Sequence, residues 1–168
     1  MKSRPFGKWS DLGVPQKGWR CTMVEDLGEP SAICEMCEHQ EIRYVHHMEH
    51  PEYPHALEVG CVCAEKMEQD KVGPRKRENA LKNTAKRRSN WLKRKWRTSA
   101  KGNAYLNTDG MNIVVFPEAG GLWSARIMER RSGLSESSRK RYASADAAKI
   151  AAFEAMVFLK ETRRWGLK

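Results

Sequence analysis

The feature that most constrains this chain is a block of cysteines and histidines in its first half. Four of the five cysteines form two close pairs, Cys34 with Cys37 and Cys61 with Cys63, and all five histidines lie between the pairs. Paired thiolates can each hold one edge of a tetrahedral metal ion. The spacing therefore predicts a Zn²⁺ site with these four cysteines as ligands.

The second cysteine pair leaves the ligand set open. It is a CxC, where CxxC is usual, and the shorter spacing is a tighter fit for two sulfurs on one ion. A histidine could therefore replace Cys61 or Cys63, with His46 and His50 as the first candidates. A redox-active CxxC and buried cysteines without a metal are the other two interpretations. The fifth cysteine, Cys21, is expected to be a small buried residue, and a substitute metal ligand is the alternative.

The charge of the chain favours an anionic partner. Of its 168 residues, 31 are Lys or Arg and 21 are Asp or Glu, which gives a net charge of +10. Such an excess favours nucleic acid first, and an acidic protein or a membrane surface second. No stretch approaches the roughly 20 apolar residues of a membrane span, and residues 1–13 contain no apolar signal-peptide core. We therefore expect a cytoplasmic protein with reduced thiols and no membrane partner.

The distribution of residue types predicts an α+β chain in four parts. An N-terminal arm rich in glycine and proline comes first, and Trp9 and Trp19 are expected to attach it to a core. With only 40% hydrophobic residues, two small cores fit the composition better than one large core. The four predicted parts are the arm at 1–30, a zinc module at 31–73, a basic linker helix at 74–98 and a second domain at 99–168.

The zinc module follows a recognisable order. A tight turn at 34–37 precedes a strand over Glu41–Met48. Two prolines predict a loop over His50–His55, because proline removes an N–H donor and fixes φ. A short strand at Leu57–Val59 then leads into a helix over Ala64–Asp70, with the second cysteine pair at its start. This order resembles a treble-clef zinc finger, which implies a structural Zn²⁺ that folds the module.

The same frame occurs in HNH nucleases, and this resemblance implies an alternative function. It would make His47 the general base for a water that attacks phosphate, with His46 and His55 as its companions. A hard divalent cation would stabilise the leaving oxygen. The helix contains no histidine to bind that cation, and Glu65 is the substitute that could reach it. A binding protein without catalytic residues is therefore the favoured interpretation, and an HNH-type endonuclease is the alternative.

The segment 74–98 is almost uniformly basic. It holds eleven cations against the single acid Glu78, whereas solvated helices usually mix the two signs. Leu81, Ala85, Leu92 and Trp96 form one apolar stripe that can face a core. The excess charge predicts phosphate contacts, since each contact releases counterions. The candidate residues are Arg75, Lys76, Arg77, Lys86, Arg87, Arg88, Lys93 and Arg94.

The last 70 residues predict three antiparallel strands and one packed helix. The strands are expected at Met111–Phe116, Leu122–Met128 and Lys140–Ala143, with a polar loop before the third. Ser144 or Asp146 is suited to cap the final helix, whose alanines allow close packing on the sheet.

Two stretches of this domain resemble AP2-type DNA-binding domains. They are Trp123-Ser-Ala-Arg-Ile on the middle strand and Arg141-Tyr-Ala-Ser-Ala-Asp-Ala-Ala leading into the helix. The resemblance implies a sheet that lies in the DNA major groove, with Arg126 and Arg141 contacting bases and phosphates. Residues 148–152 also resemble the final helix of double-stranded-RNA-binding domains, and a scaffold without a nucleic-acid role is the third interpretation.

Together these patterns predict a zinc-binding protein that binds nucleic acid, DNA or RNA, with DNA favoured. The basic helix would supply affinity, and the C-terminal sheet would supply selectivity. An adaptor that docks an acidic protein is a further alternative. Over its whole length the chain resembles a group of short bacterial and phage zinc-finger proteins, which share its ICEMC, IRYVHHMEHP and LEVGCVCA segments. A zinc module followed by an AP2-like domain also resembles the homing endonucleases of mobile elements.

Overall fold

The protein is an α+β chain, as the sequence predicts. The computed structural model describes residues 6–166. The chain divides into two compact units, Met1–Ala85 and Lys86–Lys168, and each has its own buried core. Among residues 6–166, none of the helices combines the length and apolar character that crossing a bilayer requires.

The first unit is built on a three-stranded antiparallel sheet in the order β1-β4-β5, with a separate two-stranded ribbon of β2 and β3. Part of the N-terminal arm supplies β1, so the arm belongs to the sheet. Its elements are β1 (Arg20–Asp26), β2 (Ala32–Ile33), β3 (Glu41–Ile42), β4 (Tyr44–His50), β5 (Tyr53–Val59) and the helix α1 (Cys61–Glu68).

Strand β5 is longer than the sequence predicts. The loop expected over His50–His55 is wrong, because β5 starts at Tyr53, which pairs with His50 of β4. Pro54 is tolerated because β5 is an edge strand, where a missing N–H need not interrupt a ladder. The buried side chains of Met48, Leu57 and Val59 then join the core of the unit.

The helix α2 (Gly73–Ser89) is shorter than the segment 74–98 for which a helix is predicted. After Ser89 the chain turns, and the side chain of Trp91 becomes fully buried in the second core. Its Nε1 donates a hydrogen bond to the carbonyl oxygen of Lys149 at 2.7 Å. Leu92, expected on the apolar stripe, is 40% exposed. The helix therefore ends just before the residue that becomes buried in the second core. The charge pattern of the segment does not indicate this end.

The second unit is a five-stranded antiparallel sheet with one helix packed on it, where three strands are predicted. The strand order is β10-β9-β8-β7-β6. The predicted bounds of β8 and β9 are confirmed to within one residue, and a helix begins directly after the predicted cap. The elements are β6 (Arg97–Thr98), β7 (Ala104–Thr108), β8 (Met111–Pro117), β9 (Trp123–Glu129), β10 (Ser135–Ser137) and α3 (Ala145–Arg163).

The strand predicted at Lys140–Ala143 is wrong. Only Tyr142 of that segment pairs, in an isolated bridge with Trp123, and β10 within the predicted loop takes the edge position beside β9. The predicted cap is confirmed, since the Ser144 hydroxyl accepts a hydrogen bond from the backbone N–H of Ala147 at 3.1 Å. Helix α3 then covers one face of β8 and β9 with a buried stripe. That stripe contains Ala148, Ala152, Phe153, Met156 and Leu159.

Candidate metal centre and nucleic-acid interface

Three of the four predicted cysteine ligands converge in the core of the first unit. Cys34 and Cys37 lie on the tight turn between β2 and β3, and Cys63 lies in the first turn of α1. All three are buried, and their sulfurs lie within 4.8 Å of one another. Buried thiols in such a cluster are positioned to hold a metal ion.

Hydrogen bonds around the sulfurs match what thiolate ligands require. The backbone N–H of Gly60 donates to Cys34 Sγ at 3.4 Å. A hydrogen bond from the Cys63 thiol lowers the pKa of Cys34, and the same bond raises the pKa of Cys63. A metal cation that bound both sulfurs would displace their protons. These donors fit a thiolate-bound ion.

The N-terminal segment covers the cysteine turn. The backbone N–H of Lys8 donates to the Met36 carbonyl at 2.9 Å, and Lys8 Nζ donates to the Glu35 carbonyl at 3.0 Å. Gly7 has φ of 57°, and a Cβ there would lie 2.6 Å from the Cys37 carbonyl carbon. Only glycine therefore allows this close approach. The prediction that tryptophans attach the arm is consistent with Trp19, which is 4% exposed in this core.

Cys61, the fourth predicted cysteine ligand, does not belong to the three-cysteine group. Because α1 begins at Cys61, the two cysteines of the CxC occupy helical positions i and i+2, which point about 200° apart. Cys63 therefore faces Cys34, whereas Cys61 joins a different group with His46 and Glu78. Among residues 6–166, no fourth Cys, His, Asp or Glu joins the three-cysteine group within that distance.

The surroundings of Cys61 are acidic. Its Sγ lies 3.7 Å from Glu65 Oε1, and Glu65 is held by Arg75 at 2.5 Å. Burial, with the carboxylates of Glu78 and Glu65 close by, raises the pKa of the Cys61 thiol to about 12. The sequence identifies His46 as a possible replacement ligand, but it does not identify Glu78. The one available signal is that Glu78 is the sole acid in a basic segment.

The histidines of the nuclease alternative do not meet at one centre. His46 is fully buried, whereas His47 points to the other side of β4, with its Nε2 3.4 Å from Glu25 and its Nδ1 3.8 Å from Glu58. His55 lies on β5, in edge contact with the ring of Tyr53. His50, the other candidate ligand, contacts the ring of Trp19.

Five cations of the basic segment are already paired with carboxylates. Most of these carboxylates lie outside the segment. The positive charge of the segment is therefore better neutralised in the structure than its sequence suggests. The pairs are Arg75 with Glu65, Arg77 with Glu68, Lys82 with Glu78, Arg87 with Asp109 and Arg88 with Glu154.

Other predicted cations remain available. Among residues 6–166, Lys76, Lys86 and Lys93 have no acidic partner. Arg94 donates to the Thr108 hydroxyl at 3.0 Å and lies over the ring of Trp91. Exposed cations without a carboxylate partner are the ones that can contact phosphate without first breaking an ion pair.

The outer face of the five-stranded sheet carries a row of side chains that spans all five strands. Residues directly opposite one another on paired strands share a face. The observed register aligns Arg97 with Tyr105, Tyr105 with Val114, Val114 with Arg126, and Arg126 with Ser137. The adjacent row, Leu106, Ile113 and Ile127, is buried on the other face, which α3 covers.

The predicted residue Arg126 thus lies on an exposed face, and it has no acidic partner within residues 6–166. Arg141 lies outside the strands, and its Nε is 3.4 Å from Glu118. Sequence reasoning missed Arg97 and Tyr105, because it predicts no strand at β6 or β7. The two-residue β6 has no periodic pattern that could indicate it, whereas the five-residue β7 is long enough to show one.

No protein-family model matches this chain, and no curated protein or solved structure matches it either.

Proposed function

We propose that this is a zinc-stabilised protein that binds double-stranded DNA through the outer sheet face of its second unit. The observation that supports it best is the cross-strand row from Arg97 to Ser137, which places two exposed arginines and a tyrosine on one uncovered face. The net charge of +10 supports a polyanionic partner.

Zinc is the metal that the three-cysteine group favours. Thiolate ligands in buried, closely spaced sites are typical of Zn²⁺, which binds sulfur at about 2.3 Å and has no redox chemistry of its own. Oxygen ligands, which Mg²⁺ and Ca²⁺ require, are absent from this group. The role is structural, because the sulfurs lie inside the core of the first unit.

The chemistry of the sheet face suits nucleic acid. Arginine binds phosphate and guanine edges with two parallel hydrogen bonds, and an aromatic ring can stack on a base or sugar. No Asp or Glu occupies the two outer-face rows, Arg97 to Ser137 and Asn107 to Ser135. The resemblance of residues 123–127 to AP2-type domains supports the same face. Lys93 and Lys95 lie close to Arg97 in the sequence and have no carboxylate partner within residues 6–166, so they would add positive charge beside Arg97.

Replacing Arg97 and Arg126 together with glutamine should weaken DNA binding and reduce its salt dependence. Each lost phosphate contact flattens the slope of log K against log salt by roughly one unit, so we expect a change of about two units. Fluorescence anisotropy of the full chain with a labelled DNA duplex, at several salt concentrations, measures both quantities. Single-stranded DNA and double-stranded RNA serve as competitors.

The matched control is the double variant Lys149→Gln with Arg163→Gln. It removes the same charge from α3, which covers the opposite face of the sheet, where the two cations are paired with Asp146 and Glu136. If both double variants weakened DNA binding equally, the effect would come from net charge alone. That result would contradict the assignment of DNA binding to the outer sheet face. If double-stranded RNA competed more strongly than DNA, RNA would be the target. No binding to any nucleic acid at low salt would favour the adaptor alternative.

The HNH-type nuclease remains the second candidate, since His47 lies between the carboxylates of Glu25 and Glu58. We expect no cleavage of plasmid DNA with Mg²⁺ or Mn²⁺, because the candidate histidines do not converge. A gel assay that counts nicked and linear plasmid tests this, with His47→Ala and His55→Ala as variants. Metal-dependent nicking that disappears in His47→Ala would establish the nuclease and replace the binding proposal.

A further inference from the structure

A second group of metal-ligating side chains lies in the first unit, and the proposed function does not use it. His46 on β4, Cys61 at the start of α1 and Glu78 on α2 bring one ligand atom each within 4.8 Å of one another. A nitrogen, a sulfur and an oxygen from three different elements therefore lie close enough together to bind one ion. This donor set suits a borderline divalent ion such as Zn²⁺.

The separation of the ligand atoms matches a shared ion. His46 Nε2 and Glu78 Oε2 are 3.6 Å apart, which is too long for a hydrogen bond. A tetrahedral Zn²⁺ with nitrogen and oxygen ligands at about 2.1 Å would hold those atoms about 3.4 Å apart. The two side chains thus approach as ligands of one ion do.

His46 gives an independent indication of a ligand. Its side chain is fully buried, and within residues 6–166 neither Nδ1 nor Nε2 has a hydrogen-bond partner. Burying an imidazole without a hydrogen bond costs folding free energy. A bound metal would satisfy one of the two nitrogens. A structural histidine on this side of β4 would instead be expected to donate to a nearby carbonyl.

The group also balances the charge of a divalent ion. A Cys61 thiolate and the Glu78 carboxylate supply two negative charges, and His46 binds as the neutral imidazole. Lys82 Nζ donates to Glu78 Oε1 at 2.5 Å, which leaves Oε2 facing His46. Such an outer hydrogen bond orients a ligating carboxylate.

A metal ion can reach this group from solvent. Cys61 and Glu78 line a surface pocket of about 270 Å³, together with residues of β3 and β4. Both side chains are half-buried, and only His46 is fully enclosed.

We propose that His46, Cys61 and Glu78 bind a second divalent transition-metal ion, separate from the ion of the three-cysteine group. The proposal goes beyond the proposed function, because it requires neither DNA binding nor the sheet of the second unit. It assigns Cys61 to the second ion and leaves the first ion with three thiolates.

Metal counting on the full chain tests this assignment. The reduced protein is loaded with Zn²⁺, excess metal is removed by gel filtration, and bound zinc is measured by mass spectrometry. We expect about two ions per chain in the wild type, and about one in each of Cys61→Ser, Glu78→Gln and His46→Ala. The first two variants keep side-chain size at half-buried positions, so they remain informative if His46→Ala does not fold. The controls are Cys21→Ser, Glu68→Gln and His47→Ala, which should retain both ions.

Cobalt provides a second readout, because charge-transfer absorbance reports each thiolate bound to Co²⁺. Titration should show an ion with several thiolates and an ion with one, and Cys61→Ser should remove only the latter. One ion in the wild type, weakened by Cys61→Ser but retained in His46→Ala and Glu78→Gln, would mean that four cysteines share it and would overturn the proposal. Two ions in all three variants would overturn it as well.

Discussion

Removing the proposed metal from the three-cysteine group should unfold the first unit, and this is the largest effect that we expect. Structural Zn²⁺ contributes about 10–16 kcal/mol in zinc-finger peptides at pH 7, as much as the whole stability of a typical domain. Cys34, Cys37 and Cys63 are part of the buried core itself. Without an ion, nothing would bridge the three sulfurs, which lie within 4.8 Å of one another.

Amide hydrogen exchange on the full chain, with and without a strong chelator, measures this effect. Protection should be lost in β1, β4, β5 and α1, and should persist in β8, β9 and α3, which belong to a separate core. Cys63→Ser should reproduce the loss. Cys21→Ser is the matched control, because Cys21 is half-buried in the same unit and lies outside the three-cysteine group. Unchanged protection after chelation would refute a structural metal.

Trp91→Ala should destabilise the second unit by about 3–5 kcal/mol, the usual loss for a buried Trp or Phe. The Trp91 side chain is fully buried, and its ring centroid lies 5.0 Å from that of Phe153 and 5.8 Å from that of Trp96. Its Nε1–H also bonds the Lys149 carbonyl. The substitution therefore leaves a large cavity and removes a hydrogen bond to helix α3.

Hydrogen exchange in β7, β8 and β9 measures the lost free energy of opening in this unit. Leu92→Ala is the matched control, because Leu92 is the next residue and is 40% exposed. It should cost less than about 1 kcal/mol, since little apolar area is removed from the core. Equal losses for the two variants would contradict the packing described for Trp91. DNA binding should weaken in Trp91→Ala and not in Leu92→Ala, because the proposed DNA-binding face requires a folded second unit.

Local patterns in the sequence are enough to predict much of the second unit. Strand β8 contains the apolar run Ile113–Phe116, β9 alternates Trp123, Ala125 and Ile127 with Ser124, Arg126 and Met128, and Ser144 provides a side-chain cap for α3. Each of these signals lies within one element, so it can be recognised without knowing the partner. By contrast, β10 (Ser135–Ser137) has no apolar side chain and forms a strand because the edge of β9 is there to pair with.

The metal groups show what only the tertiary structure decides. The cysteine spacing predicts a metal site at Cys34, Cys37, Cys61 and Cys63, but the point at which α1 begins determines that Cys61 and Cys63 diverge. Glu78 reaches His46 only because α2 lies beside β4, across 32 residues of sequence. The carboxylate partners of Arg87 and Arg88 lie 22 and 66 residues away. The sequence by itself determined the residue types that can hold metal or phosphate, whereas chain folding decided which of them meet, because ligands and ion pairs depend on distance in space.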